Sequence, residues 1–274
     1  AASGTTQTER ADLGRPPPQV RALPPIPLSP EARSLLSKAF ALTAAARYNE
    51  ARASCRALIS AASALVATGC TAPIDGLTGR YEVARHALED ALQMAGSLEH
   101  QIWLYSLLGE LAFWNGDLAR AERALSSALA LDPNQPELLW LHVDLLLDTG
   151  RARQALNMLA GQASEDGALL REVLAYQKLG LTEAARSTAQ RLQQRFERAH
   201  AEGQAVVTRD EARFYASLPG YERRALQLAR LAFDARREPW DARLLLETSL
   251  HAGLPKAAAP ALQWLDTSGC ESPT

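Results

Sequence analysis

The sequence predicts an all-α fold, a solenoid of about seven antiparallel helix pairs. Three observations carry this expectation. Ala and Leu dominate a chain of 274 residues that is 47% hydrophobic, while runs rich in Val, Ile and Thr are scarce. A small residue at a turn is followed, after four residues, by an Ala inside a helical pattern; the pairs are Ala46/Ala51, Gly79/Ala84, Gly116/Ala121, Gly150/Ala155, Gly180/Ala185, Gly220/Ala225 and Gly253/Ala258. The successive turns are 33, 37, 34, 30, 40 and 33 residues apart. Self-similarity at such a period marks stacked helix pairs, each burying its apolar face against the next.

Taken in order, the chain opens on Ala1-Ala2-Ser3-Gly4 without Met, as a processed or trimmed chain does, and small residues there suit signal-peptide cleavage. Residues 1–29 are polar and then Pro-rich (Arg15-Pro16-Pro17-Pro18, Leu23-Pro24-Pro25-Ile26-Pro27), a composition that favours extended polyproline II over a packed helix. They read as a disordered or extended leader. Ser29-Pro30-Glu31 is a helix start, with Ser as cap and Pro at the first helical position. The solenoid is expected over 30–269, followed by a short tail, 270–274. Val83–Leu98 reads as a second helix, and its partner over 61–78 contains Pro73 and Gly76, so a bend is expected there. A long helix follows at Thr182–Ala201; then Thr208 caps a helix whose first turn holds Arg209, Asp210 and Glu211, and Pro219-Gly220 closes it. Pro260 is expected to kink the last helix or confine it to the edge of the stack.

The best-formed unit is Ile102–Gln135. Tyr105, Leu108, Gly109 and Ala112 lie along one helical stripe, Asn115-Gly116-Asp117 stops that helix and caps the next, and Asp132-Pro133 ends the second. Ala121, Leu125 and Ala128 form the second helix's inner stripe, and small residues at Gly109 and Ala121 let the two helices approach closely. An aromatic, Leu-Gly, a small residue, Ala and a closing Pro over 34 residues resemble the tetratricopeptide repeat. The resemblance spans about Pro30–Gly269 and is strongest at 102–162. It implies a tetratricopeptide-like right-handed superhelix.

Several functions are disfavoured. A net charge of −2 and a pI near 6.3 give no electrostatic reason to expect nucleic acid or an anionic membrane. No apolar run reaches the roughly 18 residues of a spanning helix. The sequence has no phosphate loop, dinucleotide fingerprint, nucleophile elbow or zinc-protease signature. His86, His100, His142, His200 and His251 are single and never paired at ligand spacing, so neither metal nor cofactor is expected. Arg223, Arg224, Arg230, Arg236 and Arg237 read as a solvated face balanced by Glu222, Asp234 and Glu238. Asp144 and Asp148, one helical turn apart, have no nucleophile or metal cluster nearby in sequence and read as a solvated or groove-lining pair. No enzyme is inferred; a polar cluster around His142 and Asp144 would reopen the question.

Cys55 and Cys70 fall on neighbouring helices of one hairpin. Two readings stand: small buried thiols, or a disulfide that would place the protein outside the cytosol. Cys270 would then be a free thiol in the tail.

What the resemblance implies about binding is more specific. In such stacks the first helix of each pair lines a concave groove. The groove positions fall on Trp103, Ser106, Glu110, Phe113 and Trp114, on Glu137, Trp140, Asp144, Leu147 and Asp148, on Leu170, Leu174, Gln177 and Lys178, and on Trp240, Arg243, Glu247, Leu250 and His251. Four of the five tryptophans thus lie on the expected groove, where aromatic anchors carry binding energy. The Lys, Asn and Arg clamp with which chaperone-binding members grip a C-terminal carboxylate is absent at these positions, which disfavours chaperone docking. The expected function is a non-enzymatic interaction module. Trp103, Phe113, Trp114 and Trp140 are its anchors, Asp144, Asp148, Lys178 and Arg243 select charge in a protein or peptide partner, and Glu110 and Trp240 complete the groove. The alternative is a structural subunit of a bacterial envelope complex acting through its edges, since Ala257–Ala259, Ala261, Leu262, Trp264 and Leu265 leave the last helix little polar face. The resemblance to secreted bacterial proteins of this family favours a periplasmic or secreted location over the cytoplasm. The sequence fixes neither partner nor oligomeric state.

Overall fold

The computed structural model describes residues 27–162, 165–203 and 209–270. Among these residues the chain forms fourteen α-helices and no strand. They pair as α1 (Pro30–Ala44) with α2 (Tyr48–Ala61), α3 (Ala64–Leu77) with α4 (Tyr81–Gln93), α5 (Leu98–Trp114) with α6 (Leu118–Leu131), and α7 (Pro136–Asp148) with α8 (Ala152–Leu159). The stack continues with α9 (Asp166–Lys178) and α10 (Thr182–Ala201), α11 (Arg209–Ala216) and α12 (Glu222–Arg236), and α13 (Pro239–His251) and α14 (Ala259–Ser268). The result is an all-α solenoid of seven helix pairs, as the periodicity predicts.

The recurring small-residue signature has a plain physical origin. All seven turn residues adopt positive φ, from 56° at Ala46 to 87° at Gly220, a region that glycine enters without steric cost. The seven paired alanines, Ala51, Ala84, Ala121, Ala155, Ala185, Ala225 and Ala258, are all buried. Six of them lie on the second helix of a pair and Ala258 in the short turn before α14, and a larger side chain at such a buried site would push its neighbours apart. At the Asn115-Gly116-Asp117 turn, the Asp117 side chain accepts the Arg120 N–H at 3.1 Å and caps α6. Ser29 caps α1 in the same way, accepting from Ala32 N–H at 3.1 Å.

Glycines inside α3 show how successive pairs interlock. A Cβ on Gly69 would stand 2.1 Å from the Trp103 ring, and one on Gly76 would stand 2.1 Å from Leu111 Cδ1. Seven residues apart on α3, the two glycines form one bare face that receives Trp103 and Leu111 of α5. That close approach offsets the helix propensity of roughly 1 kcal/mol lost at each glycine. Cys55 and Cys70 are joined by a disulfide with Cα atoms 5.5 Å apart, tying α2 to α3. Of the two cysteine readings, the bridge is the one observed. Cys270 lies outside the bridge and is buried.

Two local expectations are corrected. The helix expected to start at Val83 begins at Tyr81 and stops at Gln93, because Ser97 caps α5 by accepting from His100 N–H at 3.2 Å. Helix α3 carries Pro73 inside it. Pro260 does not kink a helix: a short 3-10 turn, Pro255–Ala258, precedes it, and Pro260 sits in the first turn of α14, where no intrahelical donor is needed. The cap at Thr208 lies outside the described residues, as do the leader up to Ile26 and the tail after Cys270.

The stack curls far enough for its second and third pairs to touch the last two. Leu77 at the end of α3 joins an apolar cluster with Leu226, Phe233, Leu245 and Trp264 of the last two pairs. Phe113 and Trp114 at the end of α5 contact Trp240 at the start of α13. The concave side is therefore a basin bounded at one edge by these contacts and open at the other to solvent.

Candidate partner-binding groove

The basin has a volume of about 1000 Å³ and is lined by α3, α5, α7, α9, α11 and α13 with the α6–α7 connection. Every lining helix is thus the first of its pair. The placement follows from the stacking, because the second helices carry the buried alanines and form the outer layer. Of the residues expected at the groove, Trp103, Glu110, Trp114, Trp140, Asp144, Asp148, Trp240 and Arg243 line the basin. Phe113 does not line it: it is buried in the wall beside Ala112, Leu125 and Leu145, with its ring 5.3 Å from Trp240. Lys178 lies on the exposed end of α9, away from the lining, and Leu170 is wholly buried in the core.

The aromatic residues divide by environment. Trp103 is buried against Gly69 and is structural in its packing. Trp140 is half-buried; its indole rests on Gly167, where a Cβ would come within 2.7 Å of the ring. Its other neighbour is the Arg171 guanidinium, 5.4 Å from the ring centroid. Trp114 and Trp240, also half-buried, pack against each other with centroids 4.3 Å apart.

Between α7, α9 and α11 lies a charged network that the sequence did not disclose. Asp144 accepts from Arg171 at 2.7 Å and takes a bidentate pair from Arg213, both bonds 3.0 Å. Arg171 also donates to Asp210 at 3.0 Å and to the carbonyls of Gly167 and Trp140 at 2.9 and 3.2 Å. Burial alone would raise the Asp144 carboxyl, but the Arg171 and Arg213 charges outweigh it and hold the group below its ordinary value. A second network centres on Asp241, which is fully buried and accepts from Arg209 at 2.9 Å and from Arg236 at 3.1 Å. Arg209 reaches Glu238 as well, at 2.6 Å. Asp144 is thus the hub of an ion cluster rather than half of a solvated carboxylate pair with Asp148. Arg171 and Arg213 come from helices far apart in sequence from Asp144, so no local motif marks the cluster.

Asp148 sits at the exposed rim. Partial desolvation within the concavity raises its carboxyl, with Arg243 opposing and Asp144 reinforcing the shift. His142, one turn from these groups in sequence, points to a different face: it is buried, and the charges acting on it are Glu122 and Arg151. His142 and Asp144 therefore do not form one polar cluster. No helix among the described residues is long and apolar enough to cross a membrane.

Residues 112–175 match the family model of the tetratricopeptide repeat. No curated protein matches the chain. Among solved structures, a tetratricopeptide repeat protein from Parabacteroides merdae ATCC 43184 is 16% identical, with a TM-score of 0.49 over 88% of this chain and 94% of that one. A chain of the Naa15/Naa10 structure bound to HypK-THB is 17% identical, with a TM-score of 0.43; the match covers 86% of this chain and 37% of that one. The family match lies across α5 to α9, within the seven helix pairs described above. Over residues 112–175 the chain is thus similar to the tetratricopeptide repeat.

Proposed function

We propose that this protein is a non-enzymatic interaction module that holds an extended segment of a protein partner in the basin between its first helices. The carrying observation is the basin itself: about 1000 Å³ bounded by half-exposed Trp114, Trp140 and Trp240 and by charged residues from α7, α11 and α13. Aromatic anchors in a preformed concavity supply binding area with little ordering cost. The Cys55–Cys70 bridge supports an oxidising location, and the bacterial periplasm is the compartment proposed.

Site-specific photocrosslinking in the native host tests this reading. A photoreactive residue at Glu110 or Asp148 should capture a partner, and one at Glu183 on the outer helix α10 should not. Capture only from the outer or terminal positions would overturn the groove reading. It would favour a structural subunit acting through its edges, a reading supported by the exposed Leu250, Leu254 and Leu262 at the C-terminal end of the stack.

A further inference from the structure

The lining of the basin carries nine carboxylates (on Glu99, Glu110, Asp132, Glu137, Asp144, Asp148, Asp210, Glu238 and Glu247) against four guanidiniums. The pairing is unequal. All four arginines are neutralised within the protein: Arg171 and Arg213 by Asp144 and Asp210, Arg209 by Glu238 and Asp241, and Arg243 by Glu247 at 2.7 Å. Asp132 is held by Gln135 at 2.7 Å and by the Asn134 N–H at 2.9 Å. Glu99, Glu110, Glu137 and Asp148 have no ion-pair partner among the described residues. The charge left for a ligand is therefore negative, although the chain as a whole is nearly neutral.

From this imbalance and the indoles beside it, we infer that the basin selects an extended peptide segment bearing Arg or Lys side chains, an inference that rests on the groove reading above. A cationic side chain entering the basin would meet the Glu110, Glu137 and Asp148 carboxylates, which no ion pair holds, and the half-buried indole of Trp114, and a guanidinium or ammonium over an indole is attracted by the ring quadrupole. The Arg171–Trp140 contact shows the same chemistry already in use in the wall. An anionic segment would find every basin arginine occupied, and would have to break a buried pair to gain one. The raised Asp148 carboxyl agrees, since a nearby cation would restore its charged form.

Fluorescence anisotropy on the full chain tests the inference with three synthetic peptides of equal length and the same Pro/Leu framework, bearing Arg, Glu or Ser at alternate positions. The Arg peptide is expected to bind best, and to weaken as salt rises from about 50 to about 300 mM. Asp148→Asn combined with Glu110→Gln should weaken it about tenfold or more, while Glu183→Gln on the outer surface leaves it unchanged. Unchanged circular-dichroism melts separate loss of charge from loss of fold. If the Ser or Glu peptide binds as tightly as the Arg peptide, or if the paired charge variant binds normally, the charge inference fails and the groove reading stands. If none of the three peptides binds, both fail.

Discussion

The indoles of Trp114 and Trp240 lie 4.3 Å apart, centroid to centroid, and are tilted by 57°. One ends α5 and the other begins α13, so their contact joins the third helix pair to the seventh. In a linear repeat array each unit touches only its neighbours, and stability is a sum of nearest-neighbour terms. Here the Trp114–Trp240 and Phe113–Trp240 contacts, with the Leu77 cluster beside them, add a long-range term that joins distant repeats and bounds one edge of the basin.

Trp240→Ala removes the keystone of that long-range contact. The indole is half-buried, so the loss is expected at the lower end of the range for large-to-small changes, about 2–3 kcal/mol including the aromatic pairing. A stability change alone would not separate this joining of distant repeats from ordinary packing. Small-angle scattering should show a larger radius of gyration for the variant. A destabilised variant of unchanged radius would mean that the curvature is set by neighbouring repeats and not by the aromatic contact.

The Cys55–Cys70 disulfide closes a 15-residue separation between α2 and α3. A loop of that size is worth roughly 3 kcal/mol by restriction of the unfolded chain. The double change Cys55→Ala, Cys70→Ala should lower the denaturant midpoint accordingly, and added reductant should bring the parent protein to the same value. The parent, unfolded without reductant, should titrate one thiol, that of Cys270. Three thiols in protein purified from its own host would contradict both the bridge and the proposed oxidising compartment.

The fold was legible because its determinants are local and periodic: a small residue at each positive-φ turn and a buried Ala after it repeat near 34 residues. Positions of the lining tryptophans followed from the resemblance to the tetratricopeptide repeat, whose first helices line the groove. Two things did not follow. Asp144 could be placed at the basin, but its partners Arg171 and Arg213 lie on α9 and α11, and only the curl of the stack brings them together. Phe113 illustrates the other limit. The repeat register puts it on the concave side, yet contact with Trp240 across the stack turns a candidate anchor into wall. Long-range contact has no signature in a repeat's own sequence.

Glycines on helix faces give a sharp packing test. Gly69→Ala and Gly167→Ala each place a methyl group within 3.0 Å of an indole, Trp103 in one case and Trp140 in the other. A rigid ring held between helices has little room to yield, so each change should destabilise by about 1–3 kcal/mol despite the better helix propensity of Ala. Thermal melts check the sign. Stabilisation of either variant would mean that its indole can swing away from the helix, which for Trp140 would also alter the basin.

Asp144 sets acid sensitivity. Its carboxyl is held below its ordinary value of 3.8 in the fold, so the native state binds fewer protons than the unfolded chain in that region. The resulting stabilisation is fully present above the unfolded value and is lost as pH falls through the folded one. Asp144→Asn removes that dependence and leaves the Arg171 and Arg213 charges without their carboxylate, at a cost of about 3–5 kcal/mol near neutrality. The variant should therefore be less stable at pH 7, with the difference narrowing under acid. Urea unfolding at a series of pH values measures both.

His142 acts in the opposite range. Burial lowers its imidazole below the ordinary 6.5, with Glu122 opposing and Arg151 reinforcing the shift. The unfolded chain then takes up a proton at a higher pH than the native protein does. Stability is expected to decline as pH falls below about 6.5 and to level off once the folded imidazole also titrates. His142→Gln keeps a polar group of similar reach and removes the titration, so the slope of stability between about pH 5 and 7 should flatten. Because Asp144 titrates lower, the two effects separate on the pH axis. A parent protein whose unfolding midpoint is level across that interval would show that the native state takes up the His142 proton as readily as the unfolded chain.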